Sequence, residues 1–224
     1  MMISPEGYYE IALRGKSQTE ILEEINALQE EISRLKQVLE QSNEKTEVLI
    51  MPSPLTRLKC NREYLERAKR ALEEAGGQYK PTEEELHDQS FNMALASMHR
   101  FVLEIGGFFS GCTKYIYTID EENVVVDVDH SFYPKPSNLS AYEPFTRKEF
   151  VRGIADLHIG EWKQSYDNPC VLDGTQWSVR IEYEDGKDPV EIDGSNAYPY
   201  NFQELLEFLE LDNSDTDEIR EDDK

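Results

Sequence analysis

TQWSVRIEYEDGKDPVEIDGSNAYPYNFQELLEFL, residues 175–209, is the stretch whose reading decides the fold. Trp177, Val179, Ile181 and Tyr183 alternate with Ser178, Arg180, Glu182 and Glu184. A period of two marks a strand with one face buried. Glu184-Asp185-Gly186-Lys187 carries turn chemistry around Asp-Gly. Val190 and Ile192 then alternate with Glu191 and Asp193. The pair predicts an antiparallel hairpin, with apolar residues on one face and Glu182, Glu184, Glu191 and Asp193 on the other. Like charges side by side on a sheet repel, so that face needs water or a partner. Asn196-Ala197-Tyr198-Pro199 turns the chain, and Asn201 is the expected N-cap of a last helix, 201–211.

Upstream, the period of two returns. Phe101, Leu103 and Ile105 alternate before Gly106-Gly107, and segments 113–119 and 123–130 follow around Asp120-Glu121-Glu122. These predict a three-stranded meander. A helix over 82–97 precedes it, opened by a Thr82…Glu85 capping box. Another helix, 147–166, follows it with Thr146 as N-cap, and Phe150, Ile154, Leu157 and Trp162 point inward. The expectation for 81–211 is an α+β domain: a five-stranded, mostly antiparallel sheet with helices on one face.

The N-terminal part follows a different rule. After a short apolar segment with Tyr8, Tyr9, Ile11 and Leu13, Ser17 and Glu20 form a capping box. Ile21, Ile25, Leu28, Ile32, Leu35 and Leu39 then follow at intervals of 4, 3, 4, 3 and 4, an a/d seam. Ser53-Pro54 starts a second helix that Gly76-Gly77 ends. Residues 1–80 therefore read as a coiled-coil-like helical hairpin. Two arrangements use the seam: closure within one chain, or a homodimer, and a hairpin dimer would contain both.

Charge separates the two parts. The formal net charge is −23. Residues 1–80 hold 12 basic and 14 acidic side chains, and residues 81–224 hold 11 and 32. The acidity thus belongs to the second part, and it disfavours direct binding to nucleic acid or to a membrane surface. Residues 212–224 hold seven acids against Arg220 and Lys224 and are expected to be disordered. Cys60, Cys112 and Cys170 match neither a disulfide framework nor a zinc motif. With no leader and no apolar span, the expected setting is the cytoplasm.

No catalytic set emerges. His87, His99, His130 and His158 fall in no metalloprotease motif, and Gly106-Gly107 lacks the lysine of a phosphate loop. Asp127 and Asp129 lie on one face of a strand, but His130 points away, so no metal site and no cofactor is expected. Cys112 with His158 would need a fold contact that sequence does not supply. Trp162, Tyr166 and Trp177 read as packing residues. The open sheet face gathers Glu104, Asp127, Asp129, Glu182, Glu184, Glu191 and Asp193 as candidate partner-binding residues.

The segments DLHIGEWKQSYD, VLDGTQW and GSNAYPYNFQELLEFL, with SPEGYYE and ERAKRALEEAGG, resemble a set of proteins from anaerobic gut bacteria and their mobile elements. The resemblance implies this fold and a bacterial origin, and it assigns no functional residue. Small acidic proteins of mobile elements include anti-CRISPR and anti-restriction inhibitors, some of which set carboxylates where a nuclease expects phosphates. The leading expectation is a non-enzymatic module that binds a basic protein, such as a CRISPR nuclease. The alternatives are a scaffold dimerised through the N-terminal helices, an enzyme with a site assembled from scattered residues, and a calcium-binding module.

Overall fold

A computed structural model describes residues 3–41, 52–107, 111–131, 145–171, 173–184 and 186–211. The 134–144 loop, the Asp185 turn position and the acidic tail fall wholly or partly outside them. The chain divides into two compact units, Met1–Thr82 and Glu83–Lys224.

In the first unit, helix α1 (Pro5–Tyr8) runs into a π-helical turn, Tyr9–Leu13, followed by helices α2 (Gln18–Gln41) and α3 (Pro54–Glu74). Each start is capped as the sequence expects. Ser17 N–H donates to Glu20 Oε2 at 2.8 Å, and Ser53 Oγ accepts from Thr56 N–H at 3.2 Å. Gly76, with φ of 76°, terminates α3 in the left-handed region. Gln18 at the start of α2 donates to Ala75 O past the end of α3, and Arg57 near the start of α3 meets Glu31 of α2 at 2.6 Å. The helices are therefore antiparallel. Ile21, Ile25, Leu28, Ile32 and Leu35 are buried, as are Leu58, Leu65, Ala68 and Leu72 of α3. Only Leu39 of the seam is half-buried. The hairpin thus fills its own seam, and each large seam side chain adds roughly 1.5–3 kcal/mol of apolar burial. The N-terminal segment docks here too: Tyr8 stacks on Tyr64 with ring centroids 4.4 Å apart, and its hydroxyl donates to Glu24 at 2.6 Å.

The second unit holds α4 (Glu83–Ala94), β1 (Met98–Gly107), β2 (Gly111–Ile119), β3 (Val124–His130), α5 (Arg147–Asp156), β4 (Ser165–Asp167), β5 (Thr175–Tyr183), β6 (Val190–Ser195) and α6 (Phe202–Phe208). The sheet order is β3-β2-β1-β5-β6-β4. Every pairing is antiparallel except β4 with β6. One face packs under the helices. Phe150 of α5 lies 5.8 Å from Phe101 and 5.2 Å from Tyr117, centroid to centroid, and Phe208 of α6 adjoins Phe150.

The sheet has six strands where the alternation announces five. The extra strand lies in what the sequence presents as the end of the 147–166 helix. That helix stops at Asp156. His158 adopts the left-handed conformation, φ 50° and ψ 42°, and Ile159–Glu161 make a single 3-10 turn. Gly160 presses that turn onto α4, where a Cβ would come within 2.9 Å of Asp88 and Phe91 atoms. The chain leaves the turn extended and pairs with β6.

Asn201 is a second departure. Its side chain makes no cap bond to α6. It accepts from Trp162 Nε1–H at 2.8 Å and donates to Leu157 O at 2.6 Å. A buried indole N–H and a carbonyl at a helix end both need partners, and one amide serves both.

Candidate functional site

Strand register settles which side chains share the face opposite the helices. Residues directly paired across strands point the same way. Glu104 pairs with Lys114 and Ser178, and Lys114 pairs with Asp129. Arg180 pairs with Val102 and Glu191, Ser178 with Asp193, and Ile116 with Asp127. Six of the seven candidate carboxylates, Glu104, Asp127, Asp129, Glu182, Glu191 and Asp193, therefore stand on this face. Glu184 lies one residue beyond β5, exposed, and its N–H donates to Ser97 O at 2.8 Å. Asp167 of the short strand β4 joins the set through its register with Ser195.

Cations share this face with the carboxylates. Lys114 meets Glu104 at 2.9 Å. Arg180 bonds both Glu182, at 2.7 Å, and Glu191. Arg100 approaches Glu182 at 3.7 Å and His99 approaches it at 3.8 Å. Consecutive residues of a regular strand point to opposite faces, yet both of these reach one carboxylate. The irregularity in β1 between Met98 and Arg100 permits this. Arg180, bonded to Glu182, holds that carboxyl below the usual range against some burial, and Arg100 and His99 act the same way.

The face thus has a neutralised centre over β2, β1 and β5, with acids at both flanks. Asp127 and Asp129 are exposed on β3. Asp193 and Asp167 are exposed on β6 and β4, where Asp193 accepts from Ser165 Oγ at 3.0 Å. At about 4.8 Å per strand, β3 and β6 stand roughly 19 Å apart, and Asp127 and Asp129 are about 7 Å apart along their strand. Apolar atoms break the surface too: Val125 is 54% exposed.

The other candidates separate. His130 turns to the opposite side from Asp129 and is hydrogen-bonded to Thr113 Oγ1 at 2.8 Å. Cys112 N–H donates to Ser131 Oγ, while His158 faces Asp88 of α4. Trp162, Tyr166 and Trp177 are buried in one aromatic cluster with Phe202. No helix among the described residues is long and apolar enough to cross a membrane. In comparisons with family models, curated proteins and solved structures, nothing matches the chain.

Proposed function

We propose that the Glu83–Lys224 unit is a non-enzymatic module that binds a basic protein through the open face of its sheet. One observation carries this reading: the six-stranded sheet turns its apolar side to the helices and keeps a broad face of paired charges flanked by exposed aspartates. A groove lined by arginine and lysine, built for phosphates, complements the two flanks, while the neutral centre limits repulsion between the module's own strands. A CRISPR nuclease or another nucleic-acid enzyme of the bacterial cytoplasm is the partner class that this charge pattern fits. A scaffold dimerised through the α2 seam draws no support from that seam, whose residues from Ile21 to Leu35 are buried within one chain.

The test uses the full chain as bait in bacterial lysate at low salt and at about 0.5 M, where screening shortens to a few Å. A triple variant, Asp127→Lys, Asp129→Lys and Asp193→Lys, runs beside it. The expected result is a basic nucleic-acid enzyme held at low salt, released at high salt and lost by the variant. Capture that is equal for the variant, or that ignores salt, would sink the proposal.

A further inference from the structure

We propose that Asp88, His158 and Glu161 form a binding site for one divalent first-row transition-metal ion, apart from the sheet face. One donor atom from each lies within 4.8 Å of the others. Sequence alone gives no hint of it, because α4 supplies one ligand and a turn some 70 residues later supplies the other two.

The local backbone explains the arrangement. His158 enters the turn in the left-handed conformation, and Ile159–Glu161 form one 3-10 turn. His158, at the head of that turn, and Glu161, at its end, bring donor atoms within 4.8 Å of each other. His87 Nδ1 donates to Gly160 O at 2.6 Å and holds the turn against α4. The absence of a side chain at Gly160 lets Asp88 come close beneath it.

The donor atoms are oriented in advance. Tyr200 O–H donates to Glu161 Oε2 at 2.8 Å, and Asn92 Nδ2 donates to Asp88 Oδ2 at 3.1 Å. Asp88 Oδ2 also lies 3.1 Å from His158 Nδ1. Groups of this kind, holding ligands from behind, fix ligand direction in metal sites.

The independent sign of a ligand is at Asp88. It is 9% exposed, yet its Oδ1 finds no hydrogen-bond donor among the described residues. Asn92 Oδ1, one turn along the same helix, is buried and without a donor too. Both orphans are acceptors. A buried acceptor without a donor costs free energy, and a cation held by Asp88 would offset it. The His158 side chain is 37% exposed, which leaves a route from solvent.

The donor set selects the metal. Two carboxylates and one neutral imidazole carry two negative charges, matched to a divalent ion. Imidazole favours zinc, cobalt, nickel or iron over calcium and magnesium. Ligand atoms about 2.1 Å from such an ion stand roughly 3–3.5 Å apart. The Asp88–His158 pair already meets that spacing, and the Glu161 donor lies within 4.8 Å of both. Coordination at Nδ1 requires the proton there to move to Nε2 or leave.

Calorimetric titration of the chelator-stripped full chain with Zn²⁺ tests the site, and Co²⁺ absorption reports its geometry. Wild type is expected to take up one ion per chain. Glu161→Gln is expected to bind at least tenfold more weakly, since its amide oxygen keeps the Tyr200 bond but loses the charge. His158→Gly is expected to remain folded, because glycine suits the left-handed conformation, and to bind at least tenfold more weakly. Absence of saturable uptake by wild type, or equal uptake in both variants, overturns the proposal.

Discussion

Trp162 and Asn201 are locked together by a 2.8 Å hydrogen bond from indole Nε1–H to amide oxygen, with both residues buried. The amide nitrogen of Asn201 closes the end of α5 at Leu157 O. Asn201→Ala leaves an indole N–H and a carbonyl without partners. The expected loss is about 2–3 kcal/mol of stability, from the cost of unsatisfied buried groups. Urea unfolding followed by tryptophan fluorescence reads it, and a change below about 0.5 kcal/mol would remove this bond from the account.

Arg180 keeps Glu182 and Glu191 apart electrically while bonding to both. Arg180→Met is expected to cost about 0.5–1 kcal/mol, the range for partly exposed pairs across strands. The loss should shrink when Glu191→Gln is added and when salt is raised. A double-mutant cycle by chemical denaturation measures it; full additivity would mean that the pair is not coupled.

Ile25 is 1% exposed in the α2–α3 seam. Ile25→Ala is expected to cost about 2–4 kcal/mol through lost burial and the cavity left behind. Thermal loss of the helical circular-dichroism signal at lower temperature is the readout. Tolerance of the change would show that the seam is not closed within the chain.

Acid should weaken the protein from a predictable point. Glu182, held low by Arg180, and Glu31, held low chiefly by its bond to Arg34, both have folded-state pKa values below the ordinary 4.5. Glu149 is held low by Thr146. A depressed folded value means that the contribution is fully present above 4.5 and is lost as pH falls through the folded values. Melting temperature should therefore decline below about pH 4.5, and more gently in Glu182→Gln than in wild type. Parallel curves for the two would exclude Glu182 from the acid response.

What the sequence announced and what it withheld follow from physics. The five longer strands were legible because Trp177, Val179 and Ile181, like Val124, Val126 and Val128, repeat the pleat over several residues. Strand β4 has three residues and one buried side chain, Tyr166, too little to establish a period. The end of α5 was obscured because His158, rather than glycine, takes the left-handed position. Asn201 has the chemistry of a cap, but tertiary packing claimed its amide first. On the sheet face, the orientation of Arg180 beside Glu182 is a matter of parity along one strand. Its reach to Glu191, and that of Lys114 to Glu104, depends on register between strands. Asp88, His158 and Glu161 depend on a contact between a helix and a distant turn, which no local pattern encodes.

The order of the strands has a consequence for crowded solutions. An open sheet ends in two rows of backbone groups that can template growth by another chain. Here one terminal strand, β4, is three residues long, so an incoming strand would find few bonds to make. The other, β3, has its first N–H already bonded to Phe145 O and carries Asp127 and Asp129. A second copy approaching that edge would meet the same charges head-on. The ends of the sheet thus resist stacking into fibrils, and the protein should withstand concentration that would polymerise a sheet with long, neutral margins.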